Sequence, residues 1–566
     1  MTPHLTPRVR LADPLCRFAT AIAFAAFASY AGAQEATNLD ATVARDIDAA
    51  LAPHFTADEP GATVIVTRDG KPIYRAAFGL ANLEKKIPLK PDDVLRIGSL
   101  SKQFTAVAIL MLADRGQLSL SDPITKFLPD YPKTGDAVTI EHLLTHTSGI
   151  PSYTDTPDYE AGMAKAVTVK EMIARFQDQP LKFTPGSRWE YSNSGYFLLG
   201  AVIERISRMS YSAFLTRAIF SPLGMKDSAY EGFERSGKKR VEGYADKRTV
   251  ATPLHMSQPY AAGSLISSVD DLAIWDAAIS AGKMLTAETW KRAFAPYTLS
   301  DGSKTTYGYG WFVRKLQGQD AAGHSGGING FVSHGLRVPE SKVYAAVLFN
   351  RMGGGANPGY LAEKIAAIAM GRPYKDLKAI PLDAAGLDKH IGIYKLDEKT
   401  NRIVTRDGKQ LLIQRSGGSK TPITSASATE FFTPNSFTTY TFETDASGET
   451  THLVVSQATG SDKSPRVSKS PPEAKKGIPL AANVFDQYVG VYTIAPGVTL
   501  TVSREGANFF AQLTGQGKLE ILALAEDKFF VVVVDAEINF MKDAGGRVIQ
   551  LVLLQGGRET MAKRNP

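Results

Sequence analysis

The chain has 566 residues, 43% of them apolar and 21% charged. That balance can fill a substantial core and excludes bulk disorder, and the length suggests more than one domain. The formal charge of +7 comes without a basic stripe interleaved with aromatics, so a nucleic-acid partner is not expected.

Residues 1–33 read as a secretory signal. Arg8, Arg10 and Arg17 form a basic lead, 18–30 is apolar, and Ala31-Gly32-Ala33 is a small-residue cleavage site. The apolar core is well short of the ~20 residues needed to span a bilayer. The expectation is an exported protein, periplasmic or secreted, with no membrane span after cleavage. Because the signal carries three arginines and Asp13, its removal would take the charge from +7 to +5. Cys16, the only cysteine, would leave with it. Disulfides, cysteine catalysis and thiolate metal sites are then excluded from the mature chain. The histidines show no metal-ligand spacing and no phosphate-binding glycine loop is evident, so no metal or cofactor is expected.

Residues 34–372 read as a catalytic domain. The runs 64–67 and 73–76 flank Asp69-Gly70 and predict a hairpin. A helix is predicted over 99–115, since Gly98 precedes Ser99 and a nearly continuous apolar run, Phe104 to Leu112, follows. Ser99 would sit at its N-terminus, where unpaired N–H groups help bind an oxyanion. Lys102, at i+3, would project from the same face. Helical patterns recur near 169–176, 195–207 and 270–280, and strands near 310–314, 331–337 and 343–349. Early and late strands would share one sheet, with helices packed around it.

Three elements in this span carry chemistry, in fixed order: Ser99-x-x-Lys102, Tyr191-x-Asn193 and His324-Ser325-Gly326-Gly327. Other matches fail on context. Ser236–Lys239 lies in a charged, turn-like run, Ser280–Lys283 where a helix runs out, and Lys133–Gly135 in a turn after Pro132. Ser99 would attack a carbonyl and form an acyl-enzyme. Its proton needs a base: Lys102 if its pKa is lowered, or Tyr191 as a phenolate or relay. Asn193 can orient Lys102 or hold a substrate carbonyl, and Gly326 and Gly327 let a strand edge approach the substrate. His146 is read as a buried histidine rather than a base, and Trp275 and Trp311 as core or cleft wall.

On these motifs the chain resembles the serine β-lactamase-like family of class C β-lactamases, D-stereospecific peptidases and aminopeptidases, and esterases. Leu143–Ile150, Ala261–Leu265 and Tyr307–Trp311 also look like family segments. The resemblance covers roughly residues 40–372. It implies an α+β catalytic domain, an antiparallel sheet beside a helical lobe, with the site between them. It also implies catalytic Ser99, Lys102 and Tyr191, substrate contacts from Asn193, His324 and Gly326, and an oxyanion hole from the Ser99 and Gly327 N–H groups. β-Lactamases usually carry lysine where His324 stands, which speaks against efficient β-lactam hydrolysis.

Beyond Gly371 the composition turns strand-like and duplicated. Gly392, Tyr394, Gly408, Phe431, Phe442 and Leu453 recur as Gly490, Tyr492, Gly506, Phe529, Phe540 and Leu551, at a constant offset of 98 residues. Two tandem small antiparallel β-barrels, lipocalin-like, are expected over 386–460 and 483–566, joined by a Ser/Lys/Pro-rich linker, 461–482. That layout is similar to the three-domain D-aminopeptidases. The leading expectation is therefore a hydrolase of D-amino-acid-containing peptides or amides, its substrate a small molecule or short peptide such as a cell-wall-derived fragment. Alternatives are a carboxylesterase, a weak β-lactamase and a ligand-binding protein with a vestigial catalytic domain. Oligomeric state is not legible.

Overall fold

The computed structural model describes residues 40–565 apart from 157, 234–236, 238–240, 356, 458–459, 472–474, 496–497 and 557. The expected signal segment with Cys16, and Ser236 and Lys239, lie outside the described residues. No helix among the described residues is long and apolar enough to cross a membrane. The chain divides into a first unit ending at Pro373 and a second beginning at Tyr374.

The first unit is built on a six-stranded antiparallel sheet. Its strands are β1 (Ala62–Arg68), β2 (Lys71–Phe78), β3 (Phe312–Leu316), β4 (Gln319–Ile328), β5 (Phe331–Val338) and β6 (Val343–Phe349). Their order is β2-β1-β6-β5-β4-β3. The sequence explains the centre: β1 (ATVIVTR) and β6 (VYAAVLF) are apolar on both faces and almost wholly buried. Val64 of β1 lies opposite Val347 of β6. The β1–β2 hairpin turns through Asp69 and Gly70, both at positive φ, as a tight two-residue loop requires.

Helices α1 (Ser101–Asp114), α2 (Asn193–Ser207), α3 (Val269–Ser280) and α4 (Pro358–Ala369) complete the core. α3 is capped by the Ser268 hydroxyl, which accepts from Asp271 N–H. α4 packs on β5 and β6 and α2 on α1. α1 is buried from Ser101 to Leu112 on every side, with Trp275 stacked on its Phe104. One expectation changes: Ser99 is not in the α-helix but in a 3-10 turn, Gly98–Leu100, that leads into it. Gly98 at φ +51 starts this turn, a backbone state that favours glycine.

The second unit holds two closed antiparallel barrels of eight strands each, from Gly392–Lys395 to Gly460–Ser468 and from Gly490–Ala495 to Arg558–Arg564. The 98-residue offset extends to the polar scaffold. The Tyr394 hydroxyl donates to His390 O, as Tyr492 does to Tyr488 O, each at 2.7 Å. Arg406 pairs with Asp388 as Arg504 does with Asp486. Phe442 stacks on His390 as Phe540 does on Tyr488.

The expected linker is a correction. Its first residues belong to the strand Gly460–Ser468, which pairs with Thr450–Gln457 and Gly392–Lys395 and closes the first barrel. Most of that strand's side chains face outward, and Ser464 alone is buried. Its polar composition therefore looks like a linker, while its backbone fills the edge that closure requires.

Candidate active site

Ser99 is half-buried, the one accessible residue in an otherwise buried stretch from 94 to 100. Its turn rests against β4. A Cβ on Gly98 would lie 2.9 Å from Gly327 N, and one on Gly326 only 2.0 Å from Ile97 O. Glycine at 98 and 326 thus lets two backbones touch. Gly327 differs: it is exposed, and a Cβ there would meet nothing within 4 Å. Gly326 is buried against Ile97 and Ser333 and lets the strand pack onto the nucleophile turn.

Lys102, on the first turn of α1, is completely buried. Its Nζ lies 3.0 Å from Ser99 Oγ, 2.9 Å from Asn193 Oδ1 and 2.8 Å from Ala262 O. None of the three is a carboxylate. Burial with no compensating anion carries its pKa well below that of a free lysine. A neutral amine beside a serine hydroxyl can take its proton.

The Tyr191 ring lies against this amine, its centroid 4.8 Å from Lys102 Nζ. Burial pushes its phenol pKa upward, against a hydrogen bond with Ser99 that pulls it down. Both shifts run toward the uncharged form, the lysine pKa downward and the phenol pKa upward, which favours Lys102 as the base and Tyr191 as a proton relay. Asn193 is the first residue of α2; its Nδ2 donates to Thr154 Oγ1 at 3.1 Å.

Behind Tyr191 stands an aromatic and imidazole cluster. The His146 ring packs against Tyr191 with centroids 4.2 Å apart and against Tyr307 at 4.7 Å. His146 Nδ1 accepts from Ser192 N–H at 3.1 Å. Burial, then the nearby Lys102 and His324, hold its pKa well below the usual value. It backs the tyrosine and does not reach Ser99 as a base.

His324 is 2% exposed and both ring nitrogens are engaged. Nε2 is 2.9 Å from the Tyr307 hydroxyl and Nδ1 2.6 Å from Ser325 O. Both ring nitrogens are thus held by partners within the protein. Burial and then Lys102 depress its pKa to about 3, so it is neutral at every physiological pH.

Sequence reasoning brought together Ser99, Lys102, Tyr191, Asn193 and the β4 glycines. It missed the Ala262 carbonyl and Tyr307, although both lie in segments noted as family-like, and Thr154, which carries no motif. Ser280 is at the C-terminal end of α3, where its Oγ accepts from Arg337, and Lys133 begins a 3-10 turn. Neither approaches Ser99.

The family model described as Beta-lactamase matches residues 40–370, and one described as a domain of unknown function (DUF3471) matches 474–563. Penicillin-binding protein 4* of Bacillus subtilis is 28% identical over 395 residues, 65% of this chain and 87% of its own length. The putative penicillin-binding protein PbpX of the same organism is 31% identical over 254 residues, 44% of this chain and 61% of its own. The octameric penicillin-binding protein homologue from Pyrococcus abyssi superposes with a TM-score of 0.54 at 29% identity, covering 76% of this chain and 98% of that one. A D-amino acid amidase from Ochrobactrum anthropi shares the fold, with a TM-score of 0.50 at 23% identity over 58% of this chain and 98% of its own.

Proposed function

The chain belongs to the β-lactamase family, and from that premise we propose that it is an exported peptidase or amidase working through an acyl-enzyme on Ser99, with D-amino-acid-containing peptides or amides as substrates. The observation that carries the reading is the buried, carboxylate-free Lys102 amine 3.0 Å from the Ser99 hydroxyl.

Ser99 Oγ attacks the amide carbonyl while its proton passes to Lys102 Nζ. The N–H groups of Ser99 and Gly327 receive the oxyanion, and one such donor is worth about 2.7–4 kcal/mol. The proton then moves through the Tyr191 hydroxyl to the leaving amine as the C–N bond breaks. A water molecule hydrolyses the Ser99 ester by the same route in reverse.

Relatives named for binding penicillin support a site that accepts an amide carbonyl. A buried neutral His324, where β-lactamases usually hold lysine, leaves no cation there for a β-lactam carboxylate and favours the peptidase branch. The barrel interiors are filled by Tyr394, Phe431 and Phe442 in one and Tyr492, Phe529 and Phe540 in the other, which weighs against a ligand-binding protein.

The test is parallel hydrolysis of a D-aminoacyl p-nitroanilide and a p-nitrophenyl ester, with Ser99→Ala as control. Ser99-dependent release from the anilide is the expected result. Release from the ester alone would make the protein a carboxylesterase, and an unchanged rate in S99A would overturn the acyl-enzyme.

A further inference from the structure

Asn193 Oδ1 helps hold Lys102 in place, and the two ends of an asparagine amide are nearly equal in size, so packing alone does not choose which end faces the lysine. A closed ring of hydrogen bonds surrounds this choice. Asn193 Nδ2 donates to Thr154 Oγ1 at 3.1 Å, Thr154 Oγ1 lies 2.9 Å from Ser152 Oγ, and Ser152 Oγ accepts from Asn193 N–H at 3.1 Å. The ring thus begins and ends on Asn193. The loop carrying it is pinned to α2 by Tyr153 N–H to Ser194 Oγ at 2.9 Å and by Ser194 Oγ to Pro151 O at 2.7 Å.

We propose that Thr154 is a positioning residue for acyl transfer: with its proton donated to Ser152 Oγ, its oxygen can only accept from Asn193, which fixes the amide with Oδ1 toward Lys102 and leaves the amine lone pair to the Ser99 hydroxyl. This rests on the Ser99 chemistry proposed above. A neutral amine has two N–H donors and one lone pair. Asn193 Oδ1 and Ala262 O accept the two donors, and the lone pair meets Ser99 O–H. With the amide reversed, Nδ2–H would occupy the lone pair, and the proton leaving Ser99 would have no acceptor.

The test compares Thr154→Val, which keeps the shape and removes the hydroxyl, with Thr154→Ser, which keeps the hydroxyl. For T154V, kcat falls about tenfold or more while KM stays within about twofold. The acid limb of its pH–rate profile moves to lower pH, since a donor facing Nζ opposes protonation. The other groups facing the amine, Tyr191 and Tyr196 nearby and His146 and His324 further out, are the same in all variants. T154S restores both kcat and the limb. Wild-type kcat and an unmoved limb in T154V, or a T154S variant as impaired as T154V, would overturn the proposal. Should T154V fail to fold, Thr154→Ala supplies the same comparison. S99A run alongside separates the two readings: if it stays active, the Ser99 chemistry itself has failed; if it is dead while T154V is normal, only the role of Thr154 has.

Discussion

Lys102 meets Tyr191 face-on, its Nζ 4.8 Å from the ring centroid. The ring face attracts a cation, yet the lysine pKa is driven down by burial, so desolvation wins. The ring and the hydroxyl of Tyr191 therefore have separable effects.

Tyr191→Phe keeps the ring and removes the relay. The expected result is a fall in kcat of about 10²–10⁴-fold with KM little changed. The wild-type rate rises with pH as Lys102 loses its proton, and that limb lies well below the lysine range. Because burial raises the Tyr191 pKa, no alkaline fall from phenol ionisation is expected at moderately basic pH. Steady-state kinetics from acid to mildly alkaline pH check both.

The two β4 glycines give opposite outcomes. Gly326→Ala puts a methyl 2.0 Å from Ile97 O and 2.3 Å from Ser333 Oγ, so β4 must move away from the nucleophile turn. The expected cost is about 1–3 kcal/mol of overpacking, together with loss of activity. Gly327→Ala meets open space and leaves stability unchanged while crowding the substrate. Thermal unfolding and kinetics on both variants decide.

Acid should destabilise the first unit. His324 and His334 are buried and neutral, each with a pKa depressed to about 3 mainly by burial. The unfolded chain takes up protons below the ordinary histidine value of 6.5, and the folded one does so only near 3. Stability is therefore full above 6.5 and declines as pH falls through that window, by roughly 2 kcal/mol per imidazole at about pH 5. Denaturant titrations at pH 7.5 and 5 measure it; equal midpoints for the first unit would contradict it.

In the barrels, Phe442 and Phe540 occupy matching places, stacked 4.2 Å from His390 and 4.4 Å from Tyr488. Phe442→Ala and Phe540→Ala should each cost about 3–5 kcal/mol and leave hydrolysis by intact protein unchanged. Calorimetry of the two variants tests whether the repeat is equivalent in energy as well as in geometry.

Much of this was legible in the sequence because it was local. Ser99 and Lys102 are three residues apart, and the β1–β2 hairpin follows from Asp69-Gly70 between two strand-like runs. The 98-residue repeat needed only an aligned comparison. What escaped was long-range or carried by backbone. Ala262 acts through its carbonyl, Thr154 is 39 positions from the Asn193 it contacts, and Tyr307 reaches His324 from 17 positions away. The strand Gly460–Ser468 escaped because composition reports side chains, while barrel closure is a matter of main-chain pairing.

The contact of Ile97 and Gly98 with Gly326 and Gly327 also sets a clock. The nucleophile turn is made early in synthesis, but its backing arrives more than two hundred residues later, on a strand held in the sheet by β5. Contacts of such sequence separation form late. A nascent or truncated chain that stops before β4 carries Ser99 and Lys102, and Asn193 and Ala262 beside the amine, yet lacks the strand that backs the nucleophile turn, so it emerges inert. Hydrolytic competence then switches on only after the whole sheet has closed.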